Sequence, residues 1–69
     1  MEVISKSIVL NLSRKMGLLV LELENCTQWS MIDPPFHNVV GYKAQVLKKG
    51  RSHYIQFDGD NEKFAADEM

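Results

Sequence analysis

The sequence predicts a mainly β fold: a small antiparallel barrel or curved sheet of four to five strands in a single domain, residues 1–69. Three observations lead there. Leu18 to Glu24 reads LLVLELE, with Leu19, Leu21 and Leu23 on one side and Val20, Glu22 and Glu24 on the other, the two-residue period of a half-buried strand. Two further alternating runs flank a basic turn at Lys48-Lys49-Gly50-Arg51, as in a β-hairpin. The N-terminal run is dense in β-branched residues, which fit a pleated surface better than a helix.

In chain order, residues 3–12 (VISKSIVLNL) are read as the first strand on Val3, Ile4, Ile8 and Val9. Ile4, Ile8 and Leu12 also recur every four residues, so an N-terminal helix in an α+β fold is the alternative. Ser13 to Gly17 reads as a turn, and Leu18 to Glu24 as the second strand, paired with the first. Residues 25–38 (NCTQWSMIDPPFHN) carry no strand period, and Pro34 and Pro35 each lack an N–H for a ladder. They are expected to form a long loop holding at most one helical turn at Gln28–Ile32, capped by Thr27. Val39 to Lys48 reads as the third strand, with Val40, Tyr42, Ala44 and Val46 on its apolar face. Ser52 to Asp58 reads as the fourth, with Ile55 and Phe57 inward. The acidic segment 58–69 opens with the turn residues Asp58-Gly59-Asp60-Asn61 and is expected to end in a short helix that returns Phe64 to the sheet, or to fray.

A domain of this size buries only about 60% of its unfolded-chain surface, so it needs a well-filled core or a partner. Cys26 is the only cysteine, which excludes an intrachain disulfide and points to a buried or half-buried structural thiol in a reducing, cytoplasmic setting. No secretion signal is visible, and the longest apolar run, Met16 to Leu21, is far short of a membrane span. The net charge of −1 argues against a sequence-independent nucleic-acid coat. The charges are nonetheless segregated. Lys43, Lys48, Lys49 and Arg51 cluster within nine residues, and Asp58, Asp60, Glu62, Asp67 and Glu68 fall in the last twelve.

Chemistry-bearing motifs are lacking. Cys26, His37 and His53 are the only soft metal ligands, and their spacing matches no zinc finger, so neither metal nor cofactor is expected. Cys26 has no base beside it, and no carboxylate pair suggests acid–base work, so no catalytic residue is assigned. Asp58 to Glu62 superficially matches a calcium loop. The glycine and glutamate that such a loop requires at its sixth and twelfth positions are Lys63 and Met69.

Two sets of residues suggest contacts. Trp29, Met31, Ile32 and Phe36 crowd into the proline-containing loop; they either cap an open barrel end or form a protein-binding patch. Lys43, Lys48, Lys49, Arg51 and His53, with Tyr54 on the outer face, could contact phosphates beside a stacking ring, or could simply solubilise a hairpin tip.

The runs Gly41-Tyr42-Lys43-Ala44-Gln45-Val46-Leu47 and Tyr54-Ile55-Gln56-Phe57-Asp58-Gly59-Asp60-Asn61-Glu62 resemble the central hairpin of Tudor-type domains and related SH3-like barrels. The resemblance implies a small barrel that binds a partner. Gly59 stands where that family has a tyrosine, and Gly41 where it has an aromatic residue, so an aromatic cage for methylated side chains does not carry over.

The sequence thus leads to a non-enzymatic protein-binding module that docks on a partner protein or complex and modulates or inhibits it. Its size is that of accessory proteins used by phages and viruses. A nucleic-acid-binding barrel using the basic hairpin 43–53 is the alternative. Exposed sheet edges would favour a homodimer.

Overall fold

The computed structural model describes residues 1–69 as an all-β chain without helices. Six strands, β1 (Glu2–Lys15), β2 (Leu18–Leu23), β3 (Gln28–Met31), β4 (Lys43–Lys49), β5 (Ser52–Phe57) and β6 (Phe64–Glu68), close a barrel in the order β1-β2-β3-β6-β5-β4. Two three-stranded meanders, β1-β2-β3 and β4-β5-β6, are zipped together by the antiparallel pairs β3–β6 and β1–β4.

β1 makes closure feasible. Its first half, Glu2 to Ile8, pairs with β4, and its second half, Val9 to Lys15, pairs with β2. A register shift between Val3 and Ser5 leaves Ile4 as an extra residue, and one between Val9 and Asn11 does the same for Leu10. Such bulges bend a strand and increase its twist, letting one long strand serve both meanders. The N-terminal segment is therefore a strand, and the helical alternative is excluded.

The core follows from alternation. Val9, Leu19, Leu21, Leu23, Trp29, Met31, Ala44, Val46, Ile55, Phe57, Phe64 and Ala66 turn inward, joined by Val39 from the connection between β3 and β4. No polar or charged residue is buried. Val20 and Leu47 lie on the outer face yet are almost covered, at 7% and 4% exposure. The register explains the second: Leu47 lies between Val3 and Tyr54.

Several sequence expectations are corrected. The barrel has six strands, because two lay in segments without a legible period. β3 falls inside the expected loop 25–38, where Gln28–Ile32 was assigned a helical turn. Thr27 is not a helix cap; its Oγ1 donates to Asn25 Oδ1 at 2.6 Å and accepts from Trp29 Nε1 at 3.2 Å. β6 replaces the expected C-terminal helix, although Phe64 does return to the core. β4 begins at Lys43, not at Val39, because Gly41 at φ +90° turns the chain; Val39 is buried while Val40 and Tyr42 are exposed. The β1–β2 turn is only Met16-Gly17, at φ +52° and +82°, values of a two-residue type I′ turn. Closure also removes the open sheet edges on which the homodimer expectation rested.

A candidate protein-docking site at one barrel end

Residues 32–42 link the end of β3 to the start of β4 across one end of the barrel. This connection is long, and its second half is firmly held. Val39 is completely buried, and the Val9 N–H donates to the Tyr42 carbonyl at 2.9 Å. The Gly41 N–H donates to the Val9 carbonyl at 2.8 Å, and the Val40 N–H to Asn38 Oδ1 at 3.1 Å. The Phe36 ring meets Phe64 edge to face, with centroids 5.8 Å apart.

His37 is the main tie to a second segment. Its Nε2 lies 2.9 Å from Asp60 Oδ2, in the only ion pair of the molecule, and its Nδ1 lies 3.1 Å from the Asn38 carbonyl. The Tyr42 ring covers it at 5.1 Å. Both ring nitrogens face oxygen acceptors, and only the imidazolium can donate to two. The His37 pKa is accordingly raised above 6.5, chiefly by the Asn38 carbonyl and then by the hydrogen bond to Asp60.

On this anchored connection, Ile32 and Phe36 remain 78% and 75% exposed. Each borders a depression. Phe36 contributes to a cleft of about 360 Å³ between the Asp33–Phe36 stretch and the Glu62–Phe64 stretch. Ile32 overhangs a groove of about 260 Å³ on the outer face of β3, β6 and β5, with Leu18, Arg51, Tyr54, Ala65 and Asp67. Register extends that groove sideways: Ala65 lies opposite Tyr54, Tyr54 opposite Leu47, and Leu47 opposite Val3, an apolar row across four strands.

The residues expected to contact a partner therefore divide. Trp29 and Met31 are core, at 4% and 1% exposure, because β3 points alternate residues inward; they cannot form the exposed patch. Trp29 also packs against His53, with centroids 5.4 Å apart; that half-buried histidine is paired with Lys48 and borders the groove that Arg51 lines. Lys48 and Lys49 occupy successive strand positions and so opposite faces, while Lys43 begins the same seven-residue strand, about 20 Å away. Arg51 shares its groove with Asp67, because β6 brings part of the acidic tail alongside the basic hairpin. Tyr54 lies on the outer face as expected, paired with Leu47 and Ala65.

Cys26 is exposed in the β2–β3 turn at φ +69°, not buried, and lies at the other end of β3 from the His37 connection. Sequence reasoning missed Leu18, Asp33, Glu62 and the His37–Asp60 tie. Asp58 to Asn61 is legible as a turn, but nothing local shows that its carboxylate reaches a histidine 23 residues earlier. The comparisons match the chain to no family model, no curated protein and no solved structure.

Proposed function

We propose that this chain is a small non-enzymatic module that docks on another protein through the 32–42 connection and modulates or inhibits it. One observation carries the reading: a connection pinned at Val39 and hydrogen-bonded over residues 37–42 carries two large apolar side chains, Ile32 and Phe36, out in solvent. A free loop could fold Ile32 and Phe36 down onto the barrel and gain burial. A fixed one presents them at little further entropic cost on binding. The Tudor-like resemblance of residues 41–62 supports this as a binding-module analogy, without the family's methyl-reading chemistry.

The test is capture from a lysate of the source organism at high salt after nuclease treatment, comparing wild type with the Ile32→Ser/Phe36→Ser double variant. A discrete protein retained by wild type and lost by the variant supports docking through this connection. Retention that collapses with nuclease favours the nucleic-acid alternative, since phosphate contacts are strongly salt-dependent. Equal capture by both chains removes the 32–42 connection from the proposal.

A further inference from the structure

The cleft beside Phe36 has a chemical character that narrows the partner. Pro34, Pro35, Phe36 and Phe64 supply its apolar wall, and Asp33 and Glu62 enter it from two different segments. Both carboxylates are exposed, as is Lys63, which also borders the cleft. The surrounding charge is one-sided. Residues 32–42 and 58–63 together carry Asp33, Asp58, Asp60 and Glu62 against Lys63 and His37. His37 is already committed to Asp60, which leaves Asp33 and Glu62 as the carboxylates addressed to the cleft.

We infer that this cleft receives a lysine or arginine side chain from a basic segment of the partner protein, its head between Asp33 and Glu62 and its aliphatic stem along Phe36 and the prolines. The assignment rests on the docking reading above and deepens it by naming the partner's chemistry. Long basic side chains suit such a place because they bury an apolar stem while their charged head stays at the rim. The exposed Phe36 ring adds a cation–π contact. A methylated ammonium is disfavoured. It needs several aromatic faces and has fewer N–H groups to donate, whereas this cleft offers one open ring and two carboxylates that accept hydrogen bonds.

The experiment is NMR titration with a blocked hexapeptide containing one arginine and one lysine between glycines. The same peptide with glutamates, and with trimethyllysine in place of lysine, serves as comparison. The expected result is saturable shifts at Phe36, Glu62 and Phe64, with binding about fivefold weaker in Asp33→Asn/Glu62→Gln. The trimethyllysine peptide should bind no better than the unmodified one, and the glutamate peptide should not bind. Shifts as large at Asp67 and Glu68 as at Glu62, an unchanged affinity in the double variant, or preference for trimethyllysine would each overturn the inference. Thermal unfolding of the variant checks that both exposed substitutions leave the barrel intact. In the capture experiment, a partner lost by Ile32→Ser/Phe36→Ser but kept by Asp33→Asn/Glu62→Gln leaves docking standing and removes the cationic occupant.

Discussion

His37 Nε2 lies 2.9 Å from Asp60 Oδ2, tying the β3–β4 connection to the segment between β5 and β6. With Asn38 on its other nitrogen and Tyr42 across its ring, the histidine is the hinge-pin of the proposed docking end.

This tie should depend on pH. A histidine whose folded pKa is raised above 6.5 contributes stability that is fully present below the unfolded value and lost as pH rises through the folded one. Amide exchange in residues 32–42 is therefore expected to accelerate above that raised value, beyond its intrinsic pH dependence. His37→Gln should abolish the extra acceleration, with His53 still present. A connection equally protected on both sides of the transition would show that the pair holds nothing in place.

Trp29→Ala should act on the fold and not on a surface. Trp29 is 4% exposed and its Nε1 donates to Thr27. Truncation is expected to cost about 3–5 kcal/mol in chemical denaturation, with Trp29→Phe costing less. A stable Trp29→Ala protein that had merely lost its partner would restore this residue to the binding surface.

Ile32→Ser and Phe36→Ser should do the reverse. Both side chains are at least three-quarters exposed, at 78% and 75%, so Ile32→Ser should shift stability by no more than about 0.5 kcal/mol, and Phe36→Ser, which also loses its edge contact with Phe64, by no more than about 1.5 kcal/mol. The thermal midpoint is the measurement; a large drop would mean that these residues serve the barrel and not a partner.

Met16 occupies φ +52° at the tip of the β1–β2 hairpin and is fully exposed. Asparagine tolerates that conformation better and is favoured before glycine in type I′ turns. Met16→Asn is expected to stabilise the chain by about 0.5–1 kcal/mol in denaturant titration. Destabilisation would indicate that the side chain is needed there.

Legibility tracked how locally each feature is encoded. The β2 and β5 alternations, with Leu19, Leu21, Leu23, Ile55 and Phe57 inward, needed only the two-residue period and the flanking turns. β3 and β6, with four and five residues, were too short to show a period and are held as strands largely by pairing with each other and with β2 and β5. The docking set failed in the same way. Trp29, Met31, Ile32 and Phe36 look alike in a list of loop apolars; strand alternation turns the first two inward, and Ile32 and Phe36 lie beyond the end of β3.

What the amino-acid sequence determined by itself was the mainly β character and a connection rich in large apolar side chains. Those follow from composition, short-range alternation and turn chemistry, which act within a few residues. Only the tertiary structure decided that the sheet closes with six strands, that Asp60 meets His37, and that Asp33 and Glu62 share a cleft. Each of those depends on segments about 20 to 45 residues apart meeting with one register, and no local pattern encodes that meeting.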